Sequence, residues 1–117
     1  MALLEITCTS AAGYLHILLR GHITSATAPQ LEQTLAAAIA GQAAPQCVLD
    51  LGDLVYTSSA GLRVFLTFAK RMKNAGGQLV FCAVQPAVHK VLEVSGFTQI
   101  LTLVPDVTAA RDLFLPR

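Results

Sequence analysis

Thr57, Ser58 and Ser59 close an apolar run, VLDLGDLVY, and stand directly before AGLRVFLTFAKRMKN, a stretch with helical spacing. Three hydroxyls at the start of a helix offer two kinds of chemistry. A Ser or Thr oxygen accepts a hydrogen bond from a free N–H of the first turn, which accounts for a cap and its neighbour. A serine on an exposed loop there can also take a phosphate, which would meet unpaired N–H groups and the positive end of the helix dipole. Ala60 and Gly61 leave room around such a group. From spacing alone, cap and modification site both stand.

Other reactive groups do not converge. His16 falls in a predicted strand, His22 just after it and His89 on a predicted helix, with no HxxxH or HExxH spacing. The seven acidic residues are scattered, and no base is evident for a serine nucleophile. There is no GxGxxG after a strand and no GxxxxGK[ST], and Gly76-Gly77 follow a helix instead of opening one. The expectation is a protein that is not an enzyme and uses no metal or cofactor. Three cysteines, Cys8, Cys47 and Cys82, are odd in number and widely spaced. They read as reduced, buried thiols of a cytoplasmic protein.

The elements that position the hydroxyls follow from periodicity. LLEITCTS and YLHILLRGH, parted by AAG, predict a hairpin with Gly13 at positive φ. TAPQLEQTLAAAIAG predicts a helix with Thr27 as cap, Pro29 in the first turn, Leu31, Leu35, Ala38 and Ile39 on one face, and Gly41 as its stop. QCVLDL is a buried strand. In the next helix Leu62, Phe65, Leu66, Ala69 and Met72 form the core stripe, and Gly76-Gly77 end it. QLVFCAV is a strand, Pro86 opens a helix that stops at Gly96, TQILTLV is a final strand, and DVTAARDLF is a last helix capped by Asp106. The order ββαβαβαβα predicts an α/β domain spanning residues 1–117. Its mixed, mostly parallel sheet has about five strands, with right-handed crossovers and four covering helices.

Composition bounds the partners. Charged residues are 13% and hydrophobic residues 54%, so part of the apolar surface is expected to face a partner, the alternative being a lightly charged, alanine-rich exterior. A net charge of +1 without a basic run argues against nucleic acid. No stretch reads as a signal peptide or membrane span, which predicts no direct membrane insertion. Val64 and Phe68, in line with Arg71, fall on a second face of the central helix. They read either as a partner ridge running away from Ser59 or as a wide core face.

At these residues the chain resembles the STAS-domain anti-sigma-factor antagonists. The likeness rests on GHITSATAPQL, on Leu49-Asp50-Leu51, on Ser58-Ser59-Ala60-Gly61-Leu62, and on the GGxLxxxxxxPxVxxxLxxxG arrangement from Gly76 to Gly96. The resemblance implies a small α/β domain of STAS type, a monomer when free, that acts by binding. Its unphosphorylated form would capture an anti-sigma factor that is a serine kinase and so release a sigma factor. The kinase would phosphorylate Ser59, and a metal-dependent phosphatase would reverse it. Thr24, Ser25, Thr27, Thr57, Ser58, Ala60 and Gly61 would form the contact surface, with Val64, Phe68 and Arg71 added if the ridge is real. Many relatives carry Asp where this chain has Thr24 and Ser58, so the site here is expected to be less negative. The alternative function is a constitutive STAS subunit of a membrane-associated transport or signalling assembly.

Overall fold

The two leading runs of Leu, Ile, Thr and Tyr are parted by only a short connection and pair with each other. In this computed structural model, which describes residues 3–11 and 13–114, β1 (Leu4–Ala11) and β2 (Tyr14–Ile23) form an antiparallel hairpin with Leu4 opposite Gly21 and Ala11 opposite Tyr14. Gly13 takes φ +86°, as the tight connection requires, while its neighbour Ala12 lies outside the described residues. Then follow α1 (Ala28–Ile39), β3 (Gln46–Thr57), α2 (Ser59–Asn74), β4 (Gln78–Cys82), α3 (Pro86–Val94), a 3-10 turn (Phe97–Gln99), β5 (Leu103–Val104) and α4 (Val107–Phe114). The five strands lie in sequence order, and every pairing after the first is parallel. The predicted class, a single α/β domain with five strands and four helices, is the one observed.

Two apolar layers hold the sheet. On one face Ile17, Leu19, Leu49, Leu51 and Phe81 meet Leu31 and Leu35 of α1, Phe65 and Phe68 of α2, and Val88 and Leu92 of α3. On the other face Val48, Val80 and Cys82 are covered by α4 through buried Ala110, with Val107 and Phe114 packed alongside and the Phe114 ring tilted against Tyr14 at a centroid distance of 5.7 Å. The helices therefore do not cover the whole sheet. Glu5, Thr7, Thr9 and Arg20 remain exposed on the hairpin, in keeping with their polarity. Here His16 Nε2 lies 2.9 Å from Asp50 Oδ2, and Asp50 Oδ1 accepts the Gly52 N–H at 2.9 Å.

Local signals set most of the boundaries. Asp106 Oδ1 accepts the Ala109 N–H at 2.8 Å and caps α4 as expected. The N–H groups of Gly76 and Gly77 close α2 on the carbonyls of Lys73 and Met72, a Schellman arrangement. Three expectations need correction. The last strand is only Leu103–Val104, because Phe97–Gln99 coil into the 3-10 turn and the Leu101 N–H bonds back to the Phe97 carbonyl at 2.8 Å. Thr27 precedes α1 but does not cap it. Its backbone is already helical (φ −97°, ψ −14°), and its hydroxyl turns back to donate to the His22 carbonyl at 3.0 Å. Cys8 is exposed rather than buried, since it sits on the edge strand beyond the reach of α1.

Burial raises the Cys47 thiol to about 11, with Cys8 adding to the shift. It raises Cys82 to about 12, with the carboxylates of Asp50 and Asp106 adding. Both values lie above the ordinary thiol value, so their contribution to stability is whole below about pH 9. It is lost as pH rises towards the folded values, because unfolding then frees the thiols to ionise. Two outcomes follow. An aromatic disulfide reagent at neutral pH labels only Cys8 in the native protein, and labels all three thiols only in denaturant. The stability gap between the native sequence and Cys82→Ala, measured by urea unfolding, narrows as the pH is raised above 9.

Candidate functional site

The hydroxyl run lies where β3 ends against β2. Ile23 and Thr57 are the last partners of that ladder, and the Ser58 N–H donates to the Ile23 carbonyl at 2.8 Å. The chain then turns into α2 with Ser58 extended (φ −86°, ψ 173°). The three hydroxyls have three different fates. Thr57 is 3% exposed, and its Oγ1 donates to the Ser58 carbonyl at 3.2 Å. Ser58 is the N-cap, its Oγ accepting the Gly61 N–H at 3.3 Å. Ser59 is the first residue of the helix and is exposed, and among the described residues its hydroxyl has no intramolecular partner. It lies on the helix itself, one residue further in than the exposed loop the sequence suggested.

Gly61 makes this seating possible. A Cβ there would overlap the Thr57 hydroxyl and come within 2.7 Å of Ile23 Cγ2. The first turn of α2 therefore rests directly on the ends of two strands, and its backbone is fixed relative to the sheet.

Beside it runs the turn from Thr24 to Thr27. Thr24 Oγ1 accepts the N–H groups of Ala26 and Thr27, each at 3.2 Å, and the Thr24 N–H donates to Thr27 Oγ1 at 2.8 Å. A threonine here performs the turn-forming role open to an aspartate and adds no charge. Ser25, exposed at the tip, joins Ala60, Arg63 and Val64 of α2 and Pro29 and Glu32 of α1 in lining an open cleft of about 240 Å3. The structure thus brings together Thr24, Ser25, Thr27, Thr57, Ser58, Ser59, Ala60 and Gly61.

The ridge expectation is corrected. Val64 is 7% and Phe68 4% exposed, packed with Leu35 and Ala36 where α1 meets α2. Only about 20 Å3 remains open between these helices at that level. The wide core face is the one observed, because α1 lies alongside α2 and needs an apolar surface to pack on. Arg71 is exposed at the far end of that contact. Sequence reasoning passed over three other groups. Arg63 is one helical turn beyond Ser59, a spacing that was legible. Glu32 enters from a different element. Tyr56, 48% exposed, stands beside His22 with ring centroids 6.4 Å apart at the same end of the sheet.

Two substitutions separate these roles. Gly61→Ala forces α2 away from the strand ends and destabilises the fold by about 1–3 kcal/mol, as overpacked core sites do. Ser58→Ala, which loses one cap bond, costs about 1 kcal/mol. Urea unfolding of each measures both.

The described residues include no helix long and apolar enough to cross a membrane. The profile of the STAS domain family matches residues 5–110. A protein of Bordetella bronchiseptica, provisionally named anti-sigma factor antagonist BtrV, is 42% identical over 117 residues, covering 97% of this chain and 100% of that protein. The crystal structure of an anti-sigma factor antagonist from Mycobacterium paratuberculosis superposes with a TM-score of 0.85 at 23% identity, covering 95% of this chain and 93% of that one. The Bacillus cell fate determinant SpoIIAA in its phosphorylated form matches with a TM-score of 0.71 at 16% identity, over 93% of this chain and 99% of that one. With a profile spanning both layers of the fold and a relative similar along its whole length, the chain belongs to the STAS-domain family of anti-sigma factor antagonists.

Proposed function

We propose that this protein is a phosphorylation-switched binding protein, whose unphosphorylated form captures an anti-sigma factor with serine kinase activity and thereby releases a sigma factor. The observation that carries this reading is the division of labour among the three hydroxyls. Thr57 and Ser58 are engaged in the turn and cap, while Ser59 is exposed at the first position of α2. A kinase can reach that hydroxyl without unfolding anything. The phosphorylated SpoIIAA of Bacillus has the same fold, which is consistent with a phosphate being borne by such a domain. A metal-dependent serine phosphatase would restore the binding form. The contact surface comprises the Thr24–Thr27 turn, with Ser25 at its tip, and the first turn of α2. Val64 and Phe68 support it from below without touching the partner, and Arg71 stands at its far margin.

The switch works through charge and bulk at a rigid surface. A phosphate adds about −1.5 to −2 charge at neutral pH. A partner carboxylate ~5 Å away at an effective dielectric of ~20 repels each unit of charge by roughly 3 kcal/mol as an upper figure. About 3 kcal/mol corresponds to a loss of affinity on the order of a hundredfold. Since the site is a capped helix start on strand ends, the fold has no need to change for the affinity to do so.

The test mixes the native chain, Ser59→Ala and Ser59→Asp with anti-sigma kinases from the same genome and ATP. One kinase is expected to bind the native chain and Ser59→Ala alike, to place phosphate on Ser59 only, and to lose about two orders of magnitude in affinity for Ser59→Asp. Phosphopeptide mapping to Ser58, or equal affinity for Ser59→Asp, overturns the reading. A kinase-independent partner would move the function to a constitutive subunit.

A further inference from the structure

Arg63 is the one charged side chain of α2 that shares both a helix face with Ser59 and a cleft with the neighbouring helix. It stands four residues after Ser59, both residues are exposed, and long helical side chains lean back towards the N-terminus. Residues so spaced have Cβ atoms roughly 5–6 Å apart, and an anion preceding a cation by four is the favourable order. Among the described residues nothing else pairs with its guanidinium: the ion pairs are His16 with Asp50, Arg20 with Asp53 and Lys90 with Glu93. Glu32 of α1 lines the same cleft but is not within ion-pair distance. The first turn of α2 contains no acidic residue, so a phosphate on Ser59 would be the first anion there.

We infer that Arg63 is the positioning residue for the phosphate on Ser59. It swings up its own helix to hold the phosphate and, in doing so, is withdrawn from the cleft it shares with Ser25, Pro29 and Glu32. In the unmodified chain the guanidinium is offered to a partner beside Glu32. In the modified chain it is neutralised, and Glu32 is left as the cleft's charged group. Modification would thus do more than add a repulsive group: it would remove an attractive one. This rests on the reading of Ser59 as the modified residue and names the group that responds to it.

The test does not need a kinase. Phosphoserine is incorporated genetically at position 59 in the full chain, and its second ionisation is followed by 31P NMR in the native background, in Arg63→Gln and in Arg63→Lys. The helix dipole, Glu32, His22 and Tyr56 are common to all three, so the differences report Arg63 alone. The phosphate of the native background is expected to titrate about half a pH unit below that of Arg63→Gln, the size of effect a single cation roughly 6 Å away exerts in a water-like dielectric. Arg63→Lys is expected to restore most of that difference. Added salt at about 1 M should collapse it, since screening acts on exposed pairs. Equal titration in Arg63→Gln and the native background overturns the inference, even if a kinase is found that modifies Ser59. Failure of every kinase to modify Ser59 would instead overturn the functional reading and leave the measured pair intact. Because Arg63 is exposed and packs in no core, the variants are expected to fold, and their unfolding midpoints check that.

Discussion

The first turn of α2 touches the sheet with no side chain in between at Gly61, and most of what the site can do depends on that contact. Without a Cβ at this position, the helix start sits against Thr57 and Ile23, and the Ser58 N–H completes the end of the β2–β3 ladder on the Ile23 carbonyl. Once the helix is seated so closely, the orientation of each residue around it is settled. Thr57 points into the core, Ser58 points along the helix axis to cap it, and Ser59 points away from the sheet to solvent. A helix held several ångströms further out by a side chain would have neither this rigidity nor this sorting.

Rigidity is what a charge-operated switch needs. If the helix start could relax, a phosphate would be accommodated by local movement and the partner would lose little. Here the backbone is tied on three sides: to β2 through Ser58, to its own next turn through the Leu62 N–H bond to the Ser58 carbonyl, and to the layer beneath through Leu62 and Phe65. The adjoining Thr24–Thr27 turn is braced in the same manner by two threonine hydroxyls, so the two halves of the surface keep a fixed relation. Threonine at position 24 supplies the bracing open to an aspartate and leaves the turn without that charge. In the switch proposed above, electrostatic control would rest on the added phosphate and on the few charges near it, such as Arg63 and Glu32.

Much of this was legible in one dimension. The hairpin, the four helices and the succession of strands and helices along the chain follow from apolar periodicity and from turn residues, which act locally. A cap at Thr57 or Ser58 and the cap at Asp106 were legible for the same reason, because a cap is a contact within three residues, and the structure chose Ser58. Thr27 misled because the turn before it was already helical, and its hydroxyl found a better acceptor in His22. TQILTLV misled because β propensity describes residues that fit a pleated surface. There the chain was needed instead to coil and drop Leu101 into the core.

The residue sequence by itself determined the class of fold, the run of hydroxyls before a glycine, and the wide scatter of histidines and acidic residues, since each is a matter of type and spacing along the chain. Only the tertiary structure decided which apolar residues face inward and which hydroxyl is free. Val64 and Phe68 are core because α1 lies across them, and Cys8 is exposed because it sits on the edge strand β1, beyond the part of it that holds Leu4 in the core. Ser59, Arg63 and Glu32 come to one place because a helix turn spans four residues and because α1 packs beside α2. Periodicity can state how wide an apolar face is. Whether that face meets a neighbouring helix or a partner depends on what the rest of the chain brings to it.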